Sequence, residues 1–261
     1  MTPLECAEIT GGPIGNWGGK FMMDMATFAK AAEVGATHGD VFTEGCEPPP
    51  EGQAPLDGMA SYMAGRFGVL GNVDGEQVTA AAVVVAPELL STAWNEIVKH
   101  VNPIATSHYY YAPACHDWGR TNLEDTPELA RLSELVAKVV DAASPTAAPI
   151  FCGWRLTDRP SDTPALAAHM LMLLRELRFA RHSVAILSDG MTPLEAILSG
   201  PGGEGVAQMF QWQPPFPDVS HLAERRQQIE IETNRLIAND YAVLTDDECQ
   251  TFADILNSLG D

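Results

Sequence analysis

Four polar side chains stand close together in one apolar stretch of the sequence: Arg175, Glu176, Arg178 and His182. Arginine holds carboxylate, phosphate or carbonyl oxygens through several N–H groups, and histidine exchanges protons near neutral pH. Glutamate shares proton-transfer work when its surroundings tune its pKa. The cluster predicts a pocket wall on which Arg175 and Arg178 bind substrate while His182 and Glu176 act as catalytic acid and base. The alternative is that both arginines reach solvent or make structural ion pairs.

One long helix is expected to carry this cluster. Asp162-Thr163-Pro164 supplies a capping side chain followed by a first-turn proline, and neither glycine nor proline recurs before Gly190. These signals predict a helix over about 164–188. Its expected core stripe is Leu166, Met170, Leu173, Leu177, Ala180, Val184 and Leu187. Because apolar residues also occupy its other faces, we expect a central, buried helix whose charged residues need buried partners or a ligand.

Two further candidates lie earlier in the chain. Arg66 follows Tyr62 by one turn, and Gly65 between them lets another helix approach closely. We expect Arg66 and Tyr62 to join the substrate-binding set; the alternative is a surface arginine with a packed stem. His38, with Asp40 nearby, is the third candidate acid–base residue, and a solvated helix end is its alternative interpretation.

Metal-capable side chains occur without the spacing of a standard metal site. One segment contains His108, Cys115, His116 and Asp117, which match no paired zinc-ligand pattern. His169 and Glu176 lie two helical turns apart, too far to share an ion directly. No nucleophile elbow, P-loop or zinc-protease motif occurs. We therefore predict no metal ligands and leave the cofactor unknown, with a haem or metal protein using His38, His169 or His182 kept as an alternative.

Composition narrows the class of protein. The 261 residues are 46% hydrophobic and contain 35 acidic against 15 basic residues, for a net charge of −20. A nucleic-acid partner is disfavoured because phosphate binding needs a basic footprint. The sequence has no long uncharged apolar run, so no membrane span is predicted. It also lacks a basic segment followed by an apolar stretch at its start, so no secretory leader is predicted. Five cysteines without a C-x-x-C pair are typical of a reducing compartment, so we expect a cytoplasmic protein.

The remaining pattern predicts a mainly α fold, a helical bundle around the long central helix. Glycines and prolines divide it into a helical pocket domain over 21–200 and a C-terminal helical region over 205–261, with helices at about 221–238 and 246–259. The glycine-rich residues 1–20 are interpreted as a loose leader. The oligomeric state stays open, with a homodimer as one alternative.

Four segments resemble a family of largely uncharacterised actinobacterial helical proteins that often have a MarR-like winged-helix tail. They are Ser61–Arg66 with Leu70-Gly71, Val78–Ala80 with Ala86-Pro87 and Trp94, His169–His182, and Gly190 with Leu194–Ala196. In the third segment Arg175, Glu176, Arg178 and His182 match the family's run, whereas the residues between them depart from it. The resemblance covers about 25–200 and also places a histidine near His38.

The tail departs from that family. Gln211–Pro215 leads almost directly to Ala223–Arg226, which leaves too little chain for a recognition helix and a wing. The resemblance therefore implies only a small, degenerate winged-helix-like C-terminal region, and the acidic tail again disfavours nucleic acid.

Three functional hypotheses follow. The first is a small-molecule enzyme of the lyase, isomerase or cyclase type that performs elimination, cyclisation, isomerisation or hydrolysis without an organic cofactor. The second is a metabolite-sensing, regulator-like or scaffold protein. The third is the haem or metal protein, and all three stay open at this point.

Overall fold

The computed structural model describes residues 1–37, 43–48, 56 and 58–260, with the side chains of 32–37 left undescribed. Over these residues the protein is mainly α and has no strand, which confirms the predicted fold class. The helices are α1 Pro3–Trp17, α2 Met25–Thr37, α3 Gly58–Phe67, α4 Gly75–Ala82, α5 Pro87–His100, α6 Pro103–Thr106, α7 Ala112–Asn122, α8 Pro127–Ala142, α9 Pro149–Arg155, α10 Thr163–Asp189, α11 Pro193–Leu198, α12 Gly203–Met209, α13 Ala223–Tyr241 and α14 Asp246–Ser258. None of the helices described is long and apolar enough to cross a membrane.

Helix α10 is the central helix of the bundle. The Asp162 side chain accepts a hydrogen bond from the Ala165 amide at its start, and Gly190, at φ +80°, ends it. Helices α1, α7, α8, α9 and α13 all pack against it, so residues on nearly every face are buried. The prediction that Leu187 belongs to the core stripe is wrong. Leu187 is 58% exposed because it lies at the rim of an apolar cavity rather than in the core.

The glycine-rich leader predicted over 1–20 is wrong, because residues 3–17 form helix α1. Thr2 caps it, Pro3 occupies its first turn, and the Glu5 side chain returns to the Thr2 amide in a capping box. The glycines serve close packing. A Cβ atom on Gly18 would lie 2.5 Å from the Leu171 carbonyl oxygen of α10, although the Gly18 backbone is ordinary right-handed helix.

The C-terminal helices complete the main core. Helix α13 packs against α1 and α10, and α14 packs against α1 and α8. Tyr241 and Phe252 are buried there with their rings in edge contact, in the same apolar cluster as Cys6 of α1. The described residues after 205 form helices with no β-wing. The predicted domain division at 200–205 stays a prediction.

Candidate functional site

A fully buried ion pair connects α3 to the middle of α10. Arg66 Nε and Nη2 each donate to one carboxylate oxygen of Glu176, both at 2.9 Å, and neither side chain is more than 1% exposed. Arg66 Nη1 donates to the Tyr62 hydroxyl at 3.0 Å, and its guanidinium lies 4.8 Å from the Phe179 ring. The approach expected at Gly65 is also present, since a Cβ there would lie 2.3 Å from the Tyr111 ring.

Glu176 serves a second arginine as well. Arg175 Nη1 donates to Glu176 Oε1 at 2.7 Å, and the Arg175 side chain is 22% exposed. Burial alone would raise the pKa of Glu176, but the charges and hydrogen bonds of Arg66 and Arg175 outweigh it and hold that pKa below its usual value. Glu176 is therefore an anion whose hydrogen bonds are taken by two arginines. This geometry makes it an anchor for Arg175 more than a proton donor.

Arg175 projects into a cleft of about 400 Å³ between α1, α10 and α13. Arg178 and His182 follow it along the same wall, and Phe179 lies between them. The opposite walls are Gly11, Gly12 and Gly15 of α1 and Glu230 of α13. Three of the sequence-predicted residues thus share one cleft, whereas Arg66 and Tyr62 lie behind it and reach it only through Glu176.

The glycines of α1 give the cleft its space. A Cβ on Gly11 would lie 2.6 Å from Arg178 Nη2, so a side chain there would displace the guanidinium from its position against the helix. A Cβ on Gly12 or Gly15 would meet nothing within 4 Å. These two positions therefore face the open volume.

Helix α13 supplies the partners of Arg178. Its Nη1 donates to Asn234 Oδ1 at 3.0 Å and its Nη2 to Glu230 Oε2 at 3.2 Å. Arg226, one turn before Glu230, places Nη1 2.6 Å from Glu230 Oε1. One carboxylate is therefore shared between two arginines at this end of the cleft.

His182 is held in one tautomer by its hydrogen-bond partner. The Thr233 hydroxyl donates to the Ile229 carbonyl at 2.7 Å, so it can only accept from His182 Nδ1, which lies 2.8 Å away. That leaves Nε2 as the unprotonated nitrogen, without a partner among the described residues. Burial lowers the pKa of His182 to about 4, with Glu230 opposing and Arg226 and Arg178 adding to the effect. The ring is neutral at pH 7 and offers Nε2 as an acceptor.

An apolar cavity of about 210 Å³ lies on another side of α10. Its walls come from α4, from α9 with the turn that precedes it, and from α10. Both Glu176 and Phe179 of α10 line it. Val83 and Ala147 beside it adopt positive φ angles of 52° and 55°, which non-glycine residues rarely do. Most of the cavity lining is apolar, so the cavity offers an anion few charged donors.

The other candidates lie elsewhere. His38 lies outside the described residues, so its predicted catalytic role is untested. His169 is buried on α10 and pairs with His116 of α7, whose Nε2 lies 3.0 Å from His169 Nδ1. Burial lowers the pKa of His169 to about 3 and that of His116 to about 4. Over the part of the chain that the structure describes, no three His, Cys, Asp or Glu side chains are grouped to hold a metal ion.

Sequence reasoning missed the two outer walls of the cleft. The α1 wall had a readable signal, because Thr2-Pro3 with Glu5 is a helix start that the glycines obscured. Glu230 and Thr233 had none, because they lie about 50 residues beyond His182 in the chain and only the tertiary fold brings them to it.

A family model described as a helix-turn-helix family matches residues 44–217, more than half of the chain. The match supports a helix-turn-helix type of helical region over those residues. It also points toward a nucleic-acid partner, against the expectation drawn from net charge. No curated protein and no solved structure matches the chain.

Proposed function

The chain belongs to this helix-turn-helix family, and on that premise we propose that it is a ligand-sensing member whose cleft binds a small anionic metabolite. The observation that carries the proposal is the lining of the cleft. Arg175, Arg178 and His182 form one wall, the glycines of α1 form the opposite wall, and the volume between them is about 400 Å³. A cleft of this size, with a few convergent polar groups, is typical of small-molecule sites.

The distribution of charge favours a small anion over a long phosphate backbone. Every lysine and arginine other than Lys20 and Arg155 pairs with a carboxylate in the described residues. Few basic side chains are left to neutralise phosphates along a duplex, which is what sequence-independent DNA affinity requires. Inside the cleft, by contrast, arginines outnumber carboxylates.

The test is thermal unfolding of the purified chain with a panel of small organic anions, followed by calorimetric titration of those that stabilise it. Arg178→Gln should weaken binding at least tenfold, since it removes a charged donor from the cleft. Arg235→Gln is the matched control because Arg235 lies on α13 but is 62% exposed and pairs with Glu232 outside the cleft. Equal binding by both variants would refute the cleft as the site.

Duplex binding is measured separately. A mobility assay with genomic fragments over a range of salt concentrations tests the partner that the family match suggests. Binding that falls steeply with salt would restore nucleic acid as the partner and make the cleft its regulatory site.

A second candidate function rests on His182. A neutral imidazole with an open Nε2, oriented through Nδ1 by Thr233, has the arrangement of a general base. This favours the enzyme hypothesis of acid–base chemistry on the bound anion. Mass spectrometry of the bound compound after incubation decides between the two. Turnover that His182→Gln abolishes, with ligand binding kept, supports the enzyme; recovery of unchanged compound leaves the sensor.

A further inference from the structure

The arginines of the cleft exceed the carboxylates that neutralise them. Arg66 and Arg175 share Glu176, and the distances to its two oxygens are 2.7–2.9 Å. Arg178 and Arg226 share Glu230 at 3.2 and 2.6 Å. Arg66 and Glu176 balance each other behind the cleft. Arg175, Arg178 and Arg226 are then left with the single carboxylate of Glu230, so two positive charges stay uncompensated in a chain whose net charge is −20. Since buried or half-buried cations are costly unless paired, a ligand with two negative charges matches this imbalance.

Guanidinium donors are also left without acceptors. Arg226 is 16% exposed; its Nη1 lies 2.6 Å from Glu230 Oε1, and its buried Nε has no hydrogen-bond partner in the described residues. Arg175 uses one N–H group on Glu176, and a guanidinium has five. Arg175, which lines the cleft, therefore has charged donors for an incoming oxygen, and Arg226 adds positive charge beside Glu230.

His182 adds a requirement of the opposite kind. Because Thr233 can only accept from Nδ1, the Nε2 atom can only accept from a ligand. An oxygen of a carboxylate or phosphate placed there would meet a lone pair. A hydroxyl placed there would donate to it.

Resting on the proposed function of the same cleft, we infer that its ligand is a compact dianion that also has a hydroxyl donor beside the charged groups. The dianion is either a dicarboxylate or a phosphomonoester, since both supply two negative charges to paired arginines. The donor group hydrogen-bonds His182 Nε2.

The experiment separates charge from the donor group with five probes. Butyrate has one charge and 3-hydroxybutyrate adds a hydroxyl; succinate has two charges and malate adds a hydroxyl; glycerol 3-phosphate tests the phosphomonoester. Calorimetric titration at constant ionic strength should show malate or glycerol 3-phosphate binding best. We expect malate to bind about tenfold tighter than succinate and about tenfold tighter than 3-hydroxybutyrate, each factor being the size of one good hydrogen bond or charge pair.

Two variants assign each factor to its residues. Thr233→Val removes the acceptor that orients His182 and should bring the malate-to-succinate ratio close to one while the preference for two charges persists. Arg226→Gln removes one positive charge, so it should bring the malate-to-3-hydroxybutyrate ratio close to one while the preference for the hydroxyl persists. Arg235→Gln again serves as the control and should change neither ratio.

The outcomes separate this inference from the proposed function. Equal affinity for all five probes would keep the cleft as an anion site and overturn the dianion and the donor. A preference for two charges that no hydroxyl improves would overturn the role of His182. No binding of any probe at millimolar concentration would overturn the proposed function itself.

Discussion

Two glycines of the same helix should respond in opposite directions to the same substitution. Gly15 and Gly18 lie three residues apart at the end of α1, and both have right-handed backbone angles. A Cβ on Gly15 would project into the cleft with nothing within 4 Å. A Cβ on Gly18 would lie 2.5 Å from the Leu171 carbonyl and 2.7 Å from the Arg175 Cβ. The neighbouring atoms, and not the backbone, therefore decide each effect.

The magnitudes follow from these contacts. Alanine is better than glycine within a helix by about 0.5–1 kcal/mol, and Gly15→Ala should gain about 0.5 kcal/mol because it lies in the last turn. Gly18→Ala must push α1 away from α10 and should lose about 1–3 kcal/mol. Gly12 is a poorer choice than Gly15, because it precedes Pro13 and a side chain before proline disfavours helix.

Urea unfolding monitored by circular dichroism gives the free energy of unfolding of both variants. In thermal unfolding, a change of about 1 kcal/mol corresponds to about 2–4 °C in the midpoint for a chain of this size. A third variant, Gly15→Leu, fills part of the cleft without touching the core, so it should weaken anion binding and leave unfolding nearly unchanged. If Gly15→Ala and Gly18→Ala were destabilising to the same extent, the packing of α1 described above would be wrong. If Gly15→Leu bound anions as well as the parent chain, the ligand would lie elsewhere.

Three further predictions concern buried polar groups. Glu176→Gln should cost about 3–5 kcal/mol in urea unfolding because it leaves Arg66 buried without its anion, and a loss below about 1 kcal/mol would contradict that. The pKa of His169 is lowered to about 3, so the unfolded chain binds its proton first. Its contribution is therefore complete above about pH 6.5 and is lost as pH falls toward 3. His169→Leu should flatten the decline in unfolding free energy between pH 7 and 4, and an unchanged slope would refute this origin. Nitrogen-15 NMR of His182 at pH 7 should show Nδ1 protonated and Nε2 unprotonated, a preference that Thr233→Val should weaken; the opposite tautomer would remove Nε2 as an acceptor.

Local signals predicted the long helix well. Asp162 and the proline after Thr163 mark its start and Gly190 its end, and the observed helix runs from Thr163 to Asp189. These signals depend on caps and backbone angles within a few residues, so no tertiary knowledge is needed. The two C-terminal helices were predicted to within about three residues for the same reason.

What could not be predicted depends on packing between distant segments. The glycines of α1 lower helix propensity, and their use for close approach becomes visible only once α10 is beside them. Arg66 was predicted to touch substrate, but the fold buries it against Glu176, where it keeps that carboxylate charged and so helps to anchor Arg175. The predicted site roles of Arg175, Arg178 and His182 stay predictions; the structure adds that they share one cleft.

The walls of that cleft also differ in when the ribosome makes them. Helix α1 is synthesised more than 200 residues before its packing partners α13 and α14. At bacterial or eukaryotic translation speeds this interval is on the order of ten seconds or more. During this interval α1, a glycine-rich segment of weak helical preference, lacks its packing partners. The cleft cannot form until α13 has been synthesised. Ligand binding should therefore be among the last properties that a newly made chain acquires.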